Sequence, residues 1–259
     1  IDIEEVVPFA ERYFGDWKSD SNPTENYKTA EISESEIIFI EDETLENAYV
    51  SVNYPVNFNI LSDDFFAVSV LSSMLKKNGI VYDEIVDNKN YSDEIITVFE
   101  PDKYISLFNI QAGIKYYNVV EYINSINLLL EDYDKISTSE YLQKSKDDII
   151  LNFKKSLERP YIVAQYVYNL EEFELPKNYY SNFIFEVNKI TPQKIKSVAA
   201  NYLTPQKANY IIIGNKDELF CAFQKLAADY NIKQFKNKNF TQLYEKGFGV
   251  QTIINNFLE

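Results

Sequence analysis

The apolar positions of the chain change their spacing several times, and each change marks an element. Residues 2–17, DIEEVVPFAERYFGDW, set Val6, Phe9, Ala10, Tyr13 and Phe14 on one helical stripe that Gly15 stops. A polar loop, SDSNPTENYKT, follows. EIIFIE at 36–41 and AYVSVNYP at 48–55 are β-branched and aromatic and predict strands. Ser62 is placed to cap a helix whose apolar positions Phe65, Phe66, Val68, Leu71, Met74 and Leu75 run to Lys77, and Gly79 ends it. A shorter helix over about 80–89 leads into two strands, near 91–99 and 104–113, which a turn at Pro101-Asp102 joins as an antiparallel pair.

The next hundred residues carry a helical period. VVEYINSINLLLEDY is one helix, and Ser137 with Glu140 three residues later predicts a capping box for another that runs to about Leu157. Pro160 breaks it. Further helices are expected over Tyr161 to Phe173, after Pro176, and from Thr191-Pro192, an N-cap followed by a first-turn proline, to about Tyr202. ANYIIIG then reads as a buried strand, and Asp217 to Tyr230 as a last helix. Strands gathered early and helices gathered late predict an α+β fold, a two-layer α/β sandwich with a mostly antiparallel sheet and helices on one face. The strands near 36–41, 48–55, 91–99, 104–113 and 208–213 are expected to share that sheet. Residues 214–232 echo residues 1–17, with acidic residues opening a helix and an aromatic pair near its end, a pattern that duplication or simple amphipathicity produces equally.

Composition narrows the chemistry. The 259 residues include no histidine and one cysteine, which removes the His-Glu-x-x-His zinc helix, the Ser-His-Asp triad and the Cys-His pair together. Cys221 lies in an apolar helical pattern and reads as core. No D-x-[DN]-x-[DN]-G calcium loop and no glycine-rich phosphate loop is present. Forty acidic against 25 basic residues give a formal charge of −15, which repels a phosphate backbone and argues against nucleic acid as a partner. The longest apolar runs, such as VSVL at 68–71 and YIIIG at 210–214, are far short of the roughly 20 residues that span a bilayer. Because it opens at Ile1, the chain reads as a fragment, which leaves its compartment open.

Taken in order, ERYFGDWKSD, AYVSVNYPV, DDFFAVSVLSSML, YDEIVDNKNYSDEIITVFEPDKYISLFNIQAGI, LPKNYYSNFIFEVNKITPQKIKSVAANYL and YIIIGN resemble the C-terminal, non-metal-binding domain of the insulinase or pitrilysin-like M16 peptidases. The resemblance covers residues 2–232. It implies a domain over 1–232, entered by the helix at 1–17, with 233–259 as a tail or the start of a linker. It also implies a clam-shell partner: a homologous half, in the same parent chain or another subunit, that carries zinc, while this half closes the chamber and contacts peptide. On that reading the chain has no catalytic residue, no metal ligand and no cofactor of its own, and zinc is expected only in the partner half. The alternative is a degenerate M16-like scaffold subunit with no proteolytic role. The resemblance favours the bacterial periplasm, with cytoplasm or an organelle matrix as alternatives.

Active family members have approximately Leu-Arg-Glu-x-Lys-Gly-Tyr-x-Tyr where this chain has Ile85-Val86-Asp87-Asn88-Lys89-Asn90-Tyr91-Ser92-Asp93. The resemblance places Val86 at the substrate-contacting arginine and Asp93 at the last tyrosine. Valine supplies none of a guanidinium's forked donors, and an aspartate has the wrong charge for an oxyanion. Val86, Lys89, Tyr91 and Asp93 are therefore the expected remnant of a substrate contact. Lys89 either replaces part of the missing arginine or is a solvated lysine at a helix end, and Tyr91 is expected chiefly as a cross-strand packing residue. Val86 is expected on the helix and Asp93 at the start of the following strand.

Overall fold

The computed structural model describes residues 3–18, 35–56, 60–77, 79–101 and 106–236. After helix α1 (Ile3–Phe14) come strands β1 (Glu36–Glu41) and β2 (Ala48–Val56) and helix α2 (Phe65–Leu75). A single turn, α3 (Ile80–Tyr82), runs into a π-helix over Asp83–Asn88, and β3 (Ile95–Glu100) and β4 (Ser106–Ile114) follow. The helical block is α4 (Val119–Glu131), α5 (Tyr133–Ile136), α6 (Ser139–Ser156), α7 (Pro160–Glu172), α8 (Phe183–Lys189) and α9 (Pro192–Tyr202). It closes with β5 (Asn209–Gly214), α10 (Lys216–Leu226) and β6 (Asn231–Lys236). None of the described helices is long and apolar enough to cross a membrane.

The strands form one mixed sheet in the order β3-β4-β2-β5-β1-β6. β2 runs antiparallel to β4 and β5, and β3 to β4, whereas β1 lies parallel to both β5 and β6. Alternation divides each strand between two faces. On β2, Ala48, Val50, Val52, Tyr54 and Val56 enter the main core, where they meet Phe108, Ile110, Ala112 and Ile114 of β4, Tyr210 and Ile212 of β5, and Ile37 and Phe39 of β1. Helices α2, α4, α9 and α10 cover this face with Val70, Leu71, Met74, Ile123, Ile126, Val198 and Leu219. The opposite face carries a smaller cluster of Ile38, Ile40, Ile211 and Ile213. Beside it Asn209, Asn53 and Asn109 stand in register across three strands, with Ser51 opposite Gln111 one row on. The Asn109 amide donates to the Ser51 hydroxyl and the Asn53 carbonyl oxygen at 2.6 and 2.8 Å, while buried Gln111 Oε1 has no partner.

All five expected strands lie in this sheet, but β3 starts four residues later than its apolar pattern predicts. Asn90 takes a left-handed φ of 54°, and the Ser92 hydroxyl both donates to the Glu94 carbonyl and accepts from the Glu94 amide. These local bonds hold 91–94 in a bend instead of a ladder. The sixth strand, β6, follows directly on the helix expected to end at Tyr230 and enters the expected tail, so the sheet runs past residue 232 to Lys236. Residues 237–259 lie outside the described residues. No capping box forms: Thr138 is the N-cap of α6, and Ser137 bonds to Asp134 instead. The N-cap of α2 is Asp64, and Ser62 accepts from the Asp64 amide in the preceding turn. Thr191 caps α9 as expected, accepting from Lys194. Cys221 is exposed, because Leu219, Ala222 and Leu226 are the positions of α10 that turn toward the sheet.

Asp64 ties α2 to α9, accepting from Lys194 and from the Tyr202 hydroxyl at 2.8 Å. Partial burial pushes its pKa up, but the hydrogen bonds from Lys194 and Tyr202, with the lysine charge, outweigh this and hold it below the ordinary 3.8. A depressed carboxyl stabilises the fold fully above the ordinary value and loses that contribution as pH falls through its folded value. Asp64→Asn is therefore expected to cost about 1 kcal/mol at pH 7, since the pair is partly screened by solvent. In urea titrations the gap between wild type and variant should close as pH drops below about 4.

Candidate functional site

The segment from α2 to β3 begins with a tight reversal. A Cβ on Gly79 would stand 2.2 Å from the Met74 carbonyl oxygen, so only glycine lets α3 leave α2 at this angle. The helix then widens. The Lys89 amide reaches back five residues to Glu84, and the Tyr91 amide six residues to Ile85, before left-handed Asn90 ends the turn. Single π turns of this kind rearrange the side chains of a helix without breaking it, and they recur at functional sites.

Three anchors fix the π turn to the rest of the domain. Ile85 is fully buried in the main core. The Asp83 carboxylate accepts from the Tyr141 hydroxyl at 2.5 Å, and that bond, with partial burial and the nearby negative charge, pushes the phenol up to about 12. Glu84 accepts from Lys135 at 2.9 Å and lies 3.9 Å from Lys89. The acidic residues 83 and 84 are thus fasteners toward α5 and α6.

The four remnant residues divide into two pairs. Val86 is half-buried and packs on the main core, and Lys89 is exposed and paired to Glu84. Tyr91 and Asp93 line a shallow cleft of about 60 Å³ together with Asn47, Asn90, Ser92, Gly113 and Lys115. Val86 and Lys89 do not line it. Asp93 is exposed in the bend two residues before β3, not in the strand. Tyr91 has no cross-strand neighbour, because it precedes the ladder, yet its ring still packs on the core from the bend.

The cleft exists because three strand ends meet. Ala48 pairs with Ile114 and Ile95 with Ala112, so Asn47, Lys115 and Asp93 converge at one end of the sheet from separate parts of the chain. Asn47, Gly113 and Lys115 carry no local motif. Only the register brings them together. The cleft offers one ammonium, one carboxylate, a phenol, two amides and the Ser92 hydroxyl, which donates to the Glu94 carbonyl and not to a base, so the set can hydrogen-bond an extended backbone. The donor set does not fit zinc, since the chain has no imidazole and a single, exposed thiol. Among the described residues no three His, Cys, Asp or Glu side chains are grouped closely enough to hold a metal ion.

A family model described as the peptidase M16 inactive domain matches residues 1–147. The chain belongs to that family. The matched residues run from α1 through the π turn, the cleft and β4 into α6, so the candidate site lies within the M16 inactive-type domain. Solved structures share its fold. A protease from Helicobacter pylori superposes with a TM-score of 0.71 at 17% identity, over 82% of this chain and 53% of that one. A peptidase M16 inactive domain from Pseudomonas fluorescens gives 0.68 at 13%, over 83% and 51%. A chain of complex III2 from Candida albicans gives 0.66 at 13%, over 85% and 54%. This chain thus spans about half the length of these relatives. Comparison with curated proteins by sequence gives no match.

Proposed function

We propose that this chain is the non-catalytic half of an M16-type zinc metallopeptidase, closing the chamber and contacting peptide opposite a zinc-bearing half. The observation that carries the reading is the match to the inactive-domain model by a chain without histidine. A second observation supports a partner half. α1 and α10 each precede, in chain order, one of two neighbouring parallel strands, β1 and β6. α10 buries Leu219, Ala222 and Leu226, and its Phe223 meets Phe39 edge to face at 4.6 Å. α1 has the same amphipathic pattern, yet Ile3, Val6, Phe9 and Tyr13 are all exposed and no residue of it is buried. A helix of that pattern needs a surface to cover its apolar face, and a homologous half supplies one.

The test is co-expression with a homologous half that carries His-x-x-Glu-His, found upstream in the parent sequence or in a neighbouring gene. Co-purification and cleavage of a fluorogenic peptide library by the pair, but not by either half alone, is the expected result. A zinc-bearing half that cleaves equally well alone would overturn the reading. The likeness to a chain of complex III2 favours the second reading, a scaffold subunit without proteolysis, and an assembled pair that cleaves nothing would support it.

A further inference from the structure

The outward face of α7 is largely apolar from Tyr161 to Tyr168, with exposed Gln165 beside the stripe. Tyr161, Ala164, Val167 and Tyr168 follow the three-and-four spacing of one stripe, and Tyr161, Val167 and Tyr168 are 70%, 57% and 57% exposed. Leu157, in the turn before the helix, is exposed as well. No residue of α7 is buried, although its inner positions touch α6 through Tyr166, whose ring lies tilted against Phe153 at 5.9 Å and whose hydroxyl shares a hydrogen bond with Ser156.

The charges at the two ends of this stripe have opposite signs. The corner between α6 and α7 carries Lys154, Lys155 and Arg159 against Glu158, and the far end carries Glu171, Glu172 and Glu174 against Lys177. Among the described residues, Lys154, Lys155, Arg159, Glu171 and Glu174 form no ion pair. The arrangement also opposes the helix's own field. The amino end of a helix is positive and its carboxyl end negative, yet α7 has Arg159 as its N-cap, no acidic residue in its first turn, and Glu171 and Glu172 in its last. Within the domain Glu172 accepts from the Tyr168 hydroxyl at 3.3 Å, and Glu158 and Lys177 offset only part of the charge at each end. A second α7 laid antiparallel offsets it at both ends, since each acidic end then faces the partner's basic corner and the two dipoles oppose.

We propose that the α7 stripe is a self-complementary surface that takes a second copy of this chain, packed antiparallel about a two-fold axis. A helix of this length presents an edge of about 20 Å, less area than standard stable interfaces bury, so the dimer is weak. Sedimentation equilibrium of the full chain from about 1 to about 300 μM is expected to show a monomer–dimer equilibrium. Glu171→Lys with Glu174→Lys should raise the dissociation constant at least about ten-fold, as should Lys154→Glu with Lys155→Glu. An equimolar mixture of the two variants should restore dimers, now mixed, because both contacts are attractive again. Circular dichroism of each variant confirms that it is folded. A monomer throughout the range, a dimer that neither reversal weakens, or a mixture that fails to recover would overturn the proposal. A dimer formed through the exposed face of α1 gives the second of these outcomes.

Discussion

Lys146→Met is expected to lower the unfolding free energy by about 3 kcal/mol, which in a domain of this size is a fall of roughly 6 to 10 °C in melting temperature. Lys146 is buried on α6, and its ammonium donates to the carbonyls of Asn188 at 3.0 Å and Ile190 at 2.5 Å, at the carboxyl end of α8. These are among the carbonyls that a helix end leaves without an internal donor, and the positive charge also meets the negative end of the helix. Methionine keeps the apolar stem but supplies no donor, so two carbonyls lose their partner. The pH dependence separates this from a packing defect. Burial lowers the Lys146 pKa, only partly opposed by Asp147, so the folded state binds that proton less tightly than the unfolded chain. The cost of holding the charge is present at neutral pH and fades as pH rises through the lowered value toward the ordinary 10.5. Wild type should therefore gain stability from this group toward alkaline pH and the variant should not. Equal stability of the two proteins at pH 7, by urea denaturation, would show that the lysine bonds contribute nothing net.

On the proposed reading of the site, Val86→Arg combined with Asp93→Tyr is expected to raise kcat/KM for peptide cleavage about ten-fold in the assembled pair with a zinc-bearing half. One charge-assisted hydrogen bond contributes about 1.5 to 3 kcal/mol, which corresponds to ten-fold or more. The structure divides the expected gain. Asp93 is exposed in the cleft, where a phenol meets little steric resistance and removes a carboxylate, so Asp93→Tyr alone should carry most of it. Val86 packs half-buried on the core, so an arginine there must extend its stem along apolar surface to reach solvent and costs some stability. Assembly is read by co-elution and activity by initial rates at several substrate concentrations. No change in a pair that assembles and cleaves would mean that this wall does not touch the reacting peptide.

The positions of helices and strands were legible wherever a local period carried them. EIIFIE, AYVSVNYP and YIIIG are strands, and Thr191-Pro192 caps α9 as its residues require. Local signals failed where a competing local bond or a distant partner decided. Ser92 and Asn90 hold a bend that the apolar run from Ile95 does not reveal, and β6 becomes a strand because β1 lies beside it in parallel register. The capping box of Ser137 and Glu140 gave way to Thr138, one residue on.

What the sequence by itself determined was the exclusion of chemistry and the kind of fold. With no histidine and one cysteine, the chain cannot build a His-Glu-x-x-His zinc helix, a Ser-His-Asp triad or a Cys-His pair, whatever its coordinates. The order of its strand and helix patterns, read as a resemblance, was enough to place it among M16 inactive-type domains. Only the tertiary structure decided which residues share a surface. Register brought Asn47, Lys115 and Asp93 to one cleft and left Val86 packed on the core, although Val86 and Asp93 are seven residues apart in sequence. It also set three asparagines of three strands in one row and turned Cys221 outward. The reason is that chain-local preferences act over a few residues through backbone dihedrals and side-chain period. Cleft, row and exposed stripe are pairings between segments up to more than a hundred residues apart, fixed by packing across the whole domain.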